Sequence, residues 1–200
     1  LDLLSRDLAE QSARQDGLEM LETFVQNRGG LEGGAAEMDT AGMDQGSFEL
    51  FFQQIRRFLT VQEQVDLYGR WERFGSSDAS FLSVMSLVAA GFSQRKPERI
   101  KDARGKLQAL VLVGLDLNPL LGCMDLLLGD VDRALEHVHS SPDADLQEWL
   151  ANHPGDDLAA LFDYCRSWLG RDVLPGYRDV DTQVVDLEAW FADRDVQAYV

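Results

Sequence analysis

Two hundred residues, 45% of them hydrophobic, can bury the core of one large domain or two small ones, which excludes a wholly disordered chain. Eighteen Lys and Arg stand against 35 Asp and Glu. The resulting formal charge of -17 repels phosphate backbones and anionic lipid and removes nucleic acid from the expected partners.

The chain opens on Leu1 rather than Met and reads as a fragment of a longer protein. It has no basic region followed by an apolar stretch, so no signal peptide is expected. A first helix is predicted over Leu8–Asn27, with Leu8, Leu18, Leu21, Phe24 and Val25 at helical spacing and a stop at Gly29-Gly30. Residues 29–46 hold six glycines among small and acidic residues, too little apolar surface to offset ordering entropy, and are expected to form a flexible loop.

Ser47 is the expected N-cap of a second helix to Leu59, with Leu50, Phe51, Ile55 and Phe58 facing inward. Thr60 and Glu63 make a capping box that starts a third helix through Phe74, joined so tightly to the second that the two should pair as a hairpin. After the turn Gly75-Ser76-Ser77-Asp78, a helix to Ser93 is apolar enough to be central to the core.

Pro97 suits the first position of the next helix, to about Val113. Its end, Ala109–Leu117, is a short apolar run that periodicity leaves open between helix and strand. Asn118-Pro119 starts a helix to Leu128, and Gly129-Asp130 turns the chain into another, much like the turn of a tetratricopeptide hairpin. No sustained 34-residue period supports a regular solenoid.

The stretch Leu107–Leu128 is interrupted by Gln108, Asp116, Asn118, Pro119 and Asp125, whereas a membrane span needs about 20 mostly apolar residues. A further pair, Asp145–Asn152 and Asp156–Gly170, is expected to bury Leu146, Trp149, Leu150, Leu158, Leu161, Phe162, Cys165, Trp168 and Leu169. Residues Val173–Thr182 are irregular around Pro175-Gly176, and a last short helix spans Asp186–Tyr199. The expected fold is all-α: nine or ten helices in an irregular, tetratricopeptide-like array of antiparallel hairpins, a single domain over 1–200.

Chemistry is sparse. His137 and His139 lie on different helix faces, unlike the i, i+4 spacing of zinc helices, and His153 has no Cys or His companion. Cys123 and Cys165 lack CxxC spacing and read as buried thiols of a reducing compartment. Nucleophile elbows and nucleotide-binding loops are absent, and the one adjacent Asp pair, Asp156-Asp157, stands at a helix start. No enzyme activity, cofactor or metal is expected.

One charge feature stands out. Arg95, Lys96, Arg99, Lys101, Arg104 and Lys106 crowd into residues 94–106 beside only Glu98 and Asp102, a +4 island on a body of -21. It reads either as a docking surface for an acidic peptide or lipid headgroup, or as a helix face paired with the chain's own carboxylates.

Several segments in order, Glu63–Tyr68, Gly91-Phe92 with Arg95-Lys96-Pro97, Cys123–Gly129, and Trp168-Leu169 followed by Leu174–Asp179, resemble the central soluble region of the ZipN family of cyanobacterial division proteins and their chloroplast accumulation-and-replication relatives. The family's phenylalanine-proline-x-phenylalanine-arginine-aspartate run has Leu174 and Tyr177 at its aromatic positions here, and Gly30–Gly46 matches nothing in the family.

The resemblance implies a non-enzymatic scaffold that tethers FtsZ and recruits other division proteins. It also implies an anchoring transmembrane helix beyond this fragment, and a place on the cytoplasmic side of the inner membrane at the division site. The family's J-like segment has no HPD tripeptide here. By the same motif Tyr177 and Arg178 are candidate protein-binding residues, alternatively a clamp that holds the loop to the helices. The competing function is a tetratricopeptide-like peptide adaptor unrelated to division.

Overall fold

The computed structural model describes residues 2–7, 9–33, 42–110, 114–182 and 185–200. They form twelve α-helices and, among the described residues, no strand: α1 (Asp2–Ser5), α2 (Gln11–Asn27), α3 (Gln45–Arg56), α4 (Val61–Trp71), α5 (Ser77–Ser93), α6 (Pro97–Ala109), α7 (Asn118–Leu127), α8 (Val131–His139), α9 (Ala144–Ala151), α10 (Asp157–Trp168), α11 (Leu187–Ala192) and α12 (Arg194–Tyr199). A 3-10 turn, Glu72–Phe74, follows α4, and a π turn, Leu169–Val173, extends α10. The excess over the expected count comes from α1 and from Asp193, whose carboxylate caps α12 and divides the last predicted helix in two.

The chain forms two compact units instead of the single domain expected. Unit 1 is Leu1–Ser83 with Gly176–Asp179, and unit 2 is Val84–Pro175 with Val180–Val200. No linker composition marks the division because it falls inside α5.

In unit 1 the aromatic residues of α3 and α4 carry the core. Phe52 packs against Phe48, Tyr68 and Trp71 with ring centroids 5.7, 6.4 and 6.0 Å away, which makes the expected α3–α4 pair. The buried stripe of α3 is Phe48, Phe52 and Ile55, continued by Leu59, while Leu50 is 64% exposed. The helix also starts earlier than expected: Asp44, not Ser47, is the N-cap and accepts the Ser47 amide at 2.7 Å.

The glycine-rich segment is correspondingly shorter than expected. Gly46 is helical, and Arg28 donates to the carbonyls of Gly30 and Leu31 at 2.8 and 2.9 Å. Its middle, 34–41, lies outside the described residues, as does the predicted core position Leu8.

The α4 start is built as the sequence indicates. Thr60 accepts the Glu63 amide at 3.1 Å and Glu63 accepts the Thr60 amide at 2.7 Å, a capping box worth about 1 kcal/mol.

In unit 2, α7 and α8 pack closely around Gly122, where a Cβ would stand 2.5 Å from Val138. The second half of α5 is buried almost all round, as its composition requires. Helix α6 stops at Ala109 and Leu110 is extended; 111–113, within the ambiguous run, lie outside the described residues. Leu146, Leu161, Cys165, Trp168 and Leu169 are buried as expected, but Trp149 and Leu158 are 40% and 37% exposed, because α9 and α10 turn those positions outward.

Candidate functional site

The basic island begins where α5 ends. The Lys96 amide donates to Gly91 O at 2.8 Å and the Arg95 amide to Phe92 O at 3.4 Å, which closes the helix end and leaves Arg95 left-handed at φ 55°. Pro97 then opens α6, whose inner face is Pro97, Ile100, Ala103 and Leu107. Gly91 permits that packing, since a Cβ there would lie 2.6 Å from Ile100 Cγ1. Burying this face turns the cations outward, but not all to the same end.

Arg104 is an internal ion-pair residue. Its Nη2 donates to Asp125 Oδ2 at 3.0 Å, its Nε to Oδ1, and its Nη1 to Gln108 Oε1 at 2.7 Å, while the Asp125 side chain is 2% exposed. His137 Nε2 stands 3.5 Å from the same carboxylate. Arg99 and Lys106 are half-buried and each engages a neighbour.

Lys96 and Lys101 are exposed. Lys101 Nζ lies 6.0 Å from the centre of the Tyr199 ring, and Arg95 Cζ lies 5.4 Å from Phe92 and 5.7 Å from Trp190. Beside Lys101 runs an open groove of about 780 Å³ whose walls include Leu87, Leu128, Arg133 and Tyr199, with Asp102 and Asp130 also lining it.

Tyr177 and Arg178 work inside unit 1. Tyr177 is 7% exposed, and burial pushes its phenol up to about 12 against the opposing Arg56 guanidinium. The Arg178 amide donates to Leu59 O at 2.8 Å, and its guanidinium to Arg6 O at 2.6 Å and Leu4 O at 3.3 Å. On either side, Gln64 donates to Gly176 O at 2.8 Å and Asp179 accepts the Val61 amide at 2.8 Å. These contacts are those of a clamp on the α3–α4 turn.

The histidines pair separately, His139 with Asp157 at 3.3 Å and His153 with Asp163 at 3.2 Å. Among the described residues no three His, Cys, Asp or Glu side chains form a metal cluster, and no helix is long and apolar enough to cross a membrane. Cys123 and Cys165 are free and buried, and burial raises the Cys123 thiol well above its ordinary value.

The sequence reading missed the rings under the cations. Phe92, three residues before Arg95, carries a local signal, but Trp190 and Tyr199 arrive from the far end of the chain.

These features define an all-helical repeat protein. The family model described as the plastid division regulator alpha solenoid domain matches residues 58–200, and the plastid division regulator ARM repeat matches residues 1–41. The chain belongs to the plastid division regulator family, and its solenoid description goes beyond what spacing alone supported. No curated protein and no solved structure is significantly similar to it.

Proposed function

We propose that this chain is the protein-binding body of a non-enzymatic division scaffold, part of a membrane-anchored protein that tethers FtsZ and recruits other division proteins at the division site. The observation that carries the reading is the match of division-regulator models to residues 1–41 and 58–200. Stacked helices suit such work because they offer rigid grooves to an extended or helical peptide. The cations of the α5–α6 corner are the docking residues of choice, with Tyr177 and Arg178 holding unit 1 in shape.

The test is co-sedimentation with FtsZ filaments, with and without the FtsZ C-terminal tail, at low and moderate salt. Tail-dependent pelleting is expected, weakening as salt screens the island. No affinity for FtsZ at either salt would overturn the reading and leave a peptide adaptor unrelated to division.

A further inference from the structure

In a chain with 35 Asp and Glu and 18 Lys and Arg, carboxylates are the most plentiful partners open to a cation. Arg14, Arg70, Arg104 and Arg166 each meet one here, at Glu63, Glu22, Asp125 and Asp163. Arg95 and Lys101 instead rest on aromatic rings supplied by the end of α5 and by α11 and α12.

The platform under Arg95 is rigid. Trp190 is fully buried, stacks on Phe92 with centroids 5.3 Å apart, and donates Nε1 to Leu127 O at 3.0 Å. A ring quadrupole attracts a cation without cancelling its charge, whereas a carboxylate neutralises it. The rings therefore position these two charges and leave them available. Arg95 also takes the left-handed conformation that glycine supplies at the ends of other helices, as Gly75 and Gly129 do at φ 89° and 80°.

We propose that Arg95, Lys96 and Lys101 form a docking surface for an acidic segment of a partner protein, with Phe92, Trp190 and Tyr199 holding two of the cations in place without neutralising them. The proposal rests on the protein-binding reading above and names its surface and the partner's chemistry. A planar guanidinium fixed on rings presents a fork that fits a carboxylate in bidentate fashion. Beside Lys101, the groove offers Leu87 and Leu128 to an apolar side chain of the segment, between walls on which Asp102, Asp125 and Asp130 are balanced by Arg104, Lys106 and Arg133. A long polyanion meets the repulsion of the whole -17 body, while a short segment feels only the charges within about 10 Å.

The probe is a fluorescein-labelled twelve-residue peptide alternating Glu or Asp with Leu, read by anisotropy against its Gln/Asn counterpart and against phosphatidylglycerol vesicles. Binding of the acidic peptide alone is expected. Kd should rise about tenfold in the Arg95→Gln, Lys101→Gln double variant, and about threefold in Tyr199→Leu, which changes no charge. Lys96→Gln, on an exposed side chain, gives a second reading of about threefold if the double variant fails to fold.

Unchanged Kd in the variants, no binding of the acidic peptide at low salt, or preference for the vesicles would overturn the proposal. FtsZ co-sedimentation of the wild type, run alongside, separates the two readings. FtsZ binding lost with peptide binding intact removes the division partner and keeps the surface. FtsZ binding intact without peptide binding removes the surface and keeps the division reading.

Discussion

Unit 1 and unit 2 use the same kind of charge in opposite ways. In unit 1, Arg14 and Arg28 are absorbed into the structure. Arg14, 3% exposed, forks onto Glu63 at 2.7 and 2.8 Å and donates to Leu4 O at 2.7 Å and Phe58 O at 3.1 Å. Arg28 lies 3.5 Å over the Phe48 ring while its N–H groups are taken by Gly30, Leu31 and Gln45. In unit 2, Arg104 repeats that pattern, but Arg95 and Lys101 are held by ring faces that leave their charge outward. A cation's role is thus decided by what satisfies it and not by its place in a charged run.

The largest effect expected from this contrast is at Arg14. Arg14→Leu removes the charge partner of the Glu63 carboxylate and the donor to Phe58 O, and leaves Leu4 O only the longer bond from Arg178; it should cost unit 1 about 3–5 kcal/mol in a urea melt. A loss below about 1 kcal/mol would mean that the buried arginines are not structural, and the contrast would fail.

Asp179 tests the clamp that contains Arg178. Asp179→Ala removes the acceptor of the Val61 amide, and a loss of about 1 kcal/mol is expected by the same denaturation measurement.

Arg95→Gly is expected to leave stability within about 0.5 kcal/mol of wild type, because relief of the left-handed backbone offsets the lost ring contact. A thermal midpoint unchanged while acidic-peptide binding falls separates a docking cation from the structural ones.

The smallest effect concerns pH. Glu32 accepts from Ser76 Oγ at 2.8 Å, Ser77 Oγ at 3.0 Å and the Asp78 amide at 2.8 Å, at the start of α5. Burial alone would raise its pKa, but the Asp78 amide and Ser76 hydroxyl outweigh that and hold the carboxyl below its ordinary value. Its contribution is therefore present above the unfolded value of about 4.3 and lost as pH falls through the lower folded one. Glu32→Gln should flatten that part of the acid-unfolding curve, lowering stability above pH 6 by the lost contribution while the two proteins converge at low pH.

What the sequence made legible was local. The Thr60–Glu63 box, the prolines opening α6 and α7 and the buried second half of α5 depend on neighbours within a few residues, and all are found. On α3 the sequence placed Ile55 in the core and Phe51 and Phe58 against it, but it took Leu50 for an inner position that Phe48 and Phe52 fill. The island's composition was plain, yet nothing local distinguishes Arg104, drawn to Asp125, from Lys101, set on Tyr199. Those partners come from other helices, and a residue count cannot assign them.

The strap Gly176–Asp179 also has a consequence in time. The Val61 amide and the Asp179 carboxylate that receives it are 118 positions apart. At ordinary ribosomal speeds of about 5–20 residues per second, on the order of 6–24 s separate their emergence. Unit 1 must therefore wait for residues 84–175 of unit 2 to be synthesised before its α3–α4 turn is clamped, so the last stage of its folding is set by translation of a distant stretch of chain.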